Sequence, residues 1–166
     1  MINTPPVATL FRNAAISVVG RELEIELTDR EYRPRYTVVE NKQFGFLVDA
    51  MTIKLDAIEA ARLAPFGAFD LREVEAPYIG QEVTIHGFPG LNTELIDSTD
   101  ITATVDQVVG ISIGLDKPSA IGLSGGPITA AGRLIGLIHG DVGTEGNFRS
   151  GIGVFFAGQL RAALFR

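Results

Sequence analysis

The sequence predicts an all-β chain, and two observations carry that reading. Apolar side chains recur at every second position through most of the chain, the spacing of a strand with one buried face. The apolar runs are short and are separated by turn residues, drawn from 19 Gly and 8 Pro in 166 residues. Helical spacing is confined to one short internal stretch and the C-terminal end.

From Glu22 to Leu27 the chain reads ELEIEL, which puts Leu23, Ile25 and Leu27 on one strand face and the glutamates on the other. Thr28, Asp29 and Arg30 supply a turn. EYRPRYTVVE returns as a second strand, in which Pro34 must stand at an edge or bulge because it has no N–H for the ladder. FGFLVDAMTI is a third strand, mostly apolar. DAIEAARL, from Asp56 to Leu63, has the composition of a short helix and stops before Pro65. Pro65, Gly67, Pro77 and Gly80 then punctuate the chain and set the expected boundary between two lobes, 1–76 and 77–166. Beyond it EVTIHGF, TELI, DITATVDQVV, ISIGL, PITA, RLIGLIHG and GIGVFF are short strands at turn-rich spacing, as in a barrel or sandwich. FFAGQLRAALFR is a candidate terminal helix, with Leu160, Ala163 and Leu164 at helical spacing.

Charge and composition narrow the function classes. A net charge of −6 without a basic cluster argues against nucleic acid and anionic lipid as partners. The absence of Cys excludes disulfides, a thiolate nucleophile and Cys-based metal sites. The two His stand in no HxH or HxxxH pair, so neither a metal nor any other cofactor is expected. No apolar run approaches the ~18 residues of a membrane span, and a cytoplasmic protein is expected.

The densest chemical signal is Gly122-Leu123-Ser124-Gly125-Gly126-Pro127. A nucleophilic serine needs an exposed Oγ on a tight turn beside backbone N–H groups that can hold an oxyanion, and flanking glycines allow both. The letters also satisfy G-x-S-x-G, but that elbow requires a helix after the serine, whereas here PITA, a turn at Ala131-Gly132 and RLIGLIHG follow.

With its neighbours this segment resembles the trypsin/chymotrypsin-like serine peptidases of the PA clan, nearest to the compact bacterial Deg-type members. GLSGGP, GRLIGLIHGDVG, SGIGVFF and QLRAALF are similar to the family's nucleophile loop, following strands and terminal helix, and IGQEVTIHGFPG to the opening of its second barrel. NAAISVVGRELEIELTDREYRPRYTVVENKQFGFLV is similar to the family's first barrel. The resemblance implies two packed antiparallel barrels and a short C-terminal helix. About fifteen residues precede Ile16, too few for a further strand and turn at ~3.3 Å per residue, so the first barrel is expected to be short or incomplete.

By the same resemblance Ser124 falls on the nucleophile, Gly122 and Ser124 on the oxyanion hole, and Pro118, His139, Gly140 and Gly151 on the cleft wall. The family's general-base His falls on Ile16 and its orienting Asp on or beside Phe44. No His precedes His86, whereas the family's base comes from the first lobe. Losing one triad member typically costs ~10⁴ or more in turnover. Ser124 is thus expected to be a vestigial nucleophile. Leu123 stands where digestive members carry the Asp that pairs with a freed N-terminus, and Pro118 where trypsin-like pockets carry a carboxylate. His139 either lines the cleft or is an ordinary hydrogen-bonded His. His86 reads as a structural or surface residue sharing a strand face with Thr84.

Two function classes follow: a proteolytically inactive domain that binds a peptide or protein partner, by strand addition or by self-association, or a serine hydrolase in which Ser124 uses a non-standard base.

Overall fold

A computed structural model describes residues 15–17, 23–41, 46–88, 98–144 and 147–155. The chain divides into two compact units, Met1–Ala68 with Ala162–Arg166, and Phe69–Arg161.

In the first unit β1 (Ala15–Ser17) pairs antiparallel with β2 (Glu24–Glu26), and β3 (Tyr36–Asn41) with β4 (Phe46–Ile53). The ELEIEL alternation does what its spacing dictates: Leu23, Ile25 and Leu27 are buried while Glu24 and Glu26 face solvent. Asp29 closes the turn that follows, accepting from the backbone N–H of Glu31 and Arg33 and from the Arg33 side chain. The Arg33 N–H bond holds its carboxyl below the ordinary aspartate value. Pro34 meets Thr28 only through an isolated bridge outside the ladders, as a residue without an N–H must.

Helix α1 (Ala57–Leu63) begins where its capping residues put it. The Asp56 carboxylate accepts from the N–H of Ile58 and Glu59, and Glu59 reaches back to the Asp56 N–H, so both sides of a capping box are present. Glu59 also meets the Arg35 guanidinium, and both side chains are largely buried. Arg35 further donates to the carbonyls of Glu26 and Lys54, tying the helix start to the ends of two strands. Pro65 then lies in a 3₁₀ turn, Ala64–Phe66, where the α-helix stops.

The second unit is a closed, all-antiparallel barrel. Its strands are β5 (Glu82–Gly87), β6 (Thr99–Val109), β7 (Ser112–Leu115), β8 (Pro127–Ala130), β9 (Arg133–Thr144) and β10 (Asn147–Phe155). Around the barrel the order is β5, β6, β7, β10, β9, β8 and back to β5. Alternate residues point inward, and Val83, Ile85, Val105, Ile113, Leu115, Ile128, Ile135 and Ile138 form one apolar core. The β8–β9 hairpin turns on Ala131 and Gly132, both at positive φ (48° and 78°), the two-residue geometry whose twist matches the flanking strands.

The protein is therefore all-β, with one short helix among the described residues. β9 and β10 run longer than their apolar runs alone indicate, because Gly140, Asp141, Val142 and Gly143 keep pairing with β10 through a polar stretch. The expected C-terminal helix, the TELI strand and Phe44 lie outside the described residues. Among the described residues no helix is long and apolar enough to cross a membrane.

Candidate functional site

The Ser124 loop lies between the 3₁₀-like turns after β7 and the start of β8, and its shape follows from its glycines. Gly122 and Gly125 take φ of 95° and 86°, a region that strains any residue with a Cβ. Leu123, between Gly122 and Ser124, turns inward to 1% exposure and joins the barrel core. Where the resemblance expects an acid for a freed N-terminus, this chain has an apolar anchor that pins the loop from beneath. Gly87 of β5 makes room for it, since a Cβ there would stand 2.6 Å from Leu123 Cδ2.

Backbone bonds fix the rest of the loop to β9. Gly125 N–H donates to the Ile138 carbonyl at 2.8 Å, and Ile138 N–H donates to the Gly126 carbonyl at 2.8 Å. Gly126 has no room for a side chain, because one would meet the His86 carbonyl. Ser124 itself is exposed, and its Oγ donates to the His139 carbonyl at 3.2 Å. Among the described residues that carbonyl is the hydroxyl's one hydrogen-bond partner, and neither Gly122 N–H nor Ser124 N–H donates to another protein group.

The other residues assigned to the cleft wall gather near the same strand ends. Gly151 N–H donates to the Lys117 carbonyl at 2.8 Å, which holds the chain just before Pro118 against β10. Asp141 Oδ1 accepts from Ser119 N–H at 2.6 Å, which holds the chain just after Pro118 against β9. Gly140 pairs with Ile152 and faces open space, with no atom within 4 Å of where its Cβ would be. His139 is an exposed residue of β9. Ile16 lies in β1 opposite Ile25, in the first unit.

A second group of polar side chains, on the outer face of the barrel, escaped the sequence reading. His86 and Asp100 are direct cross-strand partners of β5 and β6, and Asp100 Oδ1 lies 2.7 Å from His86 Nδ1. Thr84, two residues earlier on the same face, pairs with Thr129 of β8, which makes Thr129 the diagonal neighbour of His86. Thr129 Oγ1 lies 2.8 Å from His86 Nε2. In a neutral ring whose Nδ1 carries the proton toward an Asp100 carboxylate, Nε2 would accept from the threonine hydroxyl. The alternation of VTIHGF shows that His86 points outward. Its partners become visible only with the strand register, which the long β5–β6 connection hides. Among the described residues no three His, Asp or Glu side chains converge as metal ligands.

No family model and no curated protein matches the chain. Solved structures are similar to it in part, among them the following two. One is Rv3671c from M. tuberculosis H37Rv, solved as a serine-to-alanine mutant in an inactive form, at 18% identity and a TM-score of 0.44 over 58% of this chain. The chain spans 50% of that structure's length. The other is the HRV-C 3C protein with rupintrivir, at 15% identity and a TM-score of 0.49 over 85% of this chain and 72% of that one. Similarity of this degree carries no activity across; the closed barrel and the Ser124 loop stand on this chain's own coordinates.

Proposed function

We propose that this protein is a trypsin-like peptidase-fold domain that binds an extended peptide or protein segment and does not cut it. The observation that carries the reading is the partner of Ser124 Oγ, a backbone carbonyl in place of an imidazole. The sequence supports it from the other side, since both of its His lie in the second unit and His86 is already engaged by Asp100 and Thr129. With no group to take its proton, the Ser124 hydroxyl is an ordinary alcohol.

The surroundings of Ser124 suit recognition. Ile121, directly before the loop, is 65% exposed, and Phe88 and Val142 are also exposed apolar residues, one just beyond Gly87 and the other on β9 beyond Gly140. Ile138 is bonded to the Ser124 loop and the His139 carbonyl to Ser124 Oγ, and beyond them β9 pairs only with β10 among the described residues, which is where an added strand would join. Gly140 leaves room for a backbone to approach there.

The test is a fluorophosphonate probe with site-resolved mass spectrometry, alongside capture of partners on the intact protein. We expect no stoichiometric adduct on Ser124, and a captured peptide or protein that is held equally well by Ser124→Ala. A stoichiometric adduct on Ser124, lost in Ser124→Ala, would overturn the reading.

A further inference from the structure

The outer face of the barrel holds an arrangement that the Ser124 loop lacks: a hydroxyl, an imidazole and a carboxylate in one hydrogen-bonded line, at 2.8 Å and 2.7 Å. We propose that Asp100, His86 and Thr129 form a second reactive centre, in which His86 activates the Thr129 hydroxyl toward small activated carboxylic esters.

The three roles follow from the atoms. Asp100 holds His86 in the tautomer with the proton on Nδ1, which leaves the Nε2 lone pair facing Thr129 Oγ1. A hydroxyl already bonded to a base in that orientation needs no rearrangement to give up its proton. The fold supports the alignment at each end. His86 and Asp100 are locked as a direct cross-strand pair. Thr129 stands at a register shift between β8 and β9, where Ile128 pairs with Gly136 but Thr129 with Leu134, and such irregularities re-aim a side chain relative to the regular ladder.

Exposure rises along the line. Thr129 is 6% exposed, the His86 side chain 37% and the Asp100 side chain 66%. The burial of Thr129 leaves little room at its hydroxyl, which restricts the acyl donor to a small one. In the first half of the reaction Thr129 Oγ1 forms a bond to the ester carbonyl carbon as its proton passes to His86 Nε2. The bond from that carbon to the alcohol oxygen then breaks, and the departing oxygen takes the proton from Nε2. Water repeats the sequence on the acyl-threonine, releasing the carboxylic acid and restoring the hydroxyl. Because that water must reach the acyl carbonyl carbon attached to a nearly buried oxygen, the acyl-threonine accumulates.

The experiment is exposure of the intact protein to 4-nitrophenyl acetate at neutral pH, with the acetyl group located by peptide mass spectrometry. Acetylation of Thr129 is expected in the native protein and in Ser124→Ala. It should be absent in Thr129→Val, restored at the same position in Thr129→Ser, and at least tenfold slower in His86→Gln. Asp100→Asn, at a mostly exposed position, supplies the same comparison if His86→Gln does not fold. No acetyl on Thr129 of the folded protein, or acetylation there unaffected by both His86→Gln and Asp100→Asn, overturns the proposal. Acetyl on Ser124 would instead count against the Ser124 reading, so the two can fail separately.

Discussion

Among the described residues, the two units differ in the contacts that stand out in each. In the second, a ring of six strands closes on itself and encloses an apolar core whose central side chains, Ile85, Ile113, Leu115 and Ile128, have no exposed surface at all. In the first, the described strands pair two by two, Leu23, Ile25, Leu27 and Tyr36 are buried, and the described residues also form an ionic group: Arg35 with Glu59, the two backbone carbonyls that Arg35 also binds, and the capping box of α1. A closed sheet with an apolar interior draws its stability from area and packing density. A buried ion pair contributes through geometry, and it tolerates the loss of either partner badly.

The largest effect should come from breaking the barrel at its centre. Ile85 faces Ile101 and Ile128 across its two neighbouring strands and is fully enclosed, so Ile85→Ala leaves a cavity that the closed sheet cannot collapse into. A loss of about 4 kcal/mol is expected for the second unit. Denaturant unfolding, followed by hydrogen exchange in peptides from β5 to β8, measures it. A loss under about 1 kcal/mol would mean that the barrel relaxes freely and that the contrast between the units is overdrawn.

Breaking the polar unit comes next. Glu59→Ala strands the Arg35 guanidinium in a largely buried position and removes half of the capping box, at an expected cost of about 3 kcal/mol to the first unit. The pH dependence sharpens the comparison. The Arg35 hydrogen bond holds the Glu59 carboxyl below its ordinary value, against the upward pull of burial. Its contribution is therefore fully present above the unfolded glutamate value near ~4.3 and is lost as the pH falls through the lower folded value. Hydrogen exchange at falling pH should show α1 losing protection below about pH 4, and Glu59→Gln should flatten that loss. An acid response of α1 that is the same in Glu59→Gln would show that other carboxylates govern it.

The same contrast explains what could be read without coordinates. Repetition is legible: ELEIEL and EVTIHGF are recognisable as strands because inward and outward residues alternate along each, and the helix from Asp56 shows itself by composition and the proline that ends it. The Ser124 loop was legible because glycines at fixed offsets serve only a few backbone shapes. What stayed hidden was pairing across distance. Arg35 meets Glu59 across 24 positions and His86 meets Thr129 across 43, and no local pattern encodes either. The role of Leu123 was hidden in the same way. Its letter marked a departure from the resembled family, but that it fills the barrel core depends on the glycine at position 87 lying beneath it.

The smallest effect should come from Ser124 itself, although it is the residue the sequence points to most strongly. Ser124 lies in the same unit as Ile85, a few residues from the core, yet its side chain is exposed and among the described residues makes one hydrogen bond, to a carbonyl that water can equally well satisfy. Removing an exposed hydroxyl leaves no buried group unpaired, so Ser124→Ala should change stability by less than about 0.5 kcal/mol. Gly126→Ala, two positions on, should be far worse, because its Cβ would run into the His86 backbone carbonyl. If both variants unfold at the same denaturant concentration as the native protein, the loop is not held by its backbone as the hydrogen bonds to Ile138 indicate. If Ser124→Ala is the one that unfolds, its hydroxyl carries structure, and its absence could no longer be used as a neutral control for chemistry anywhere else on the barrel.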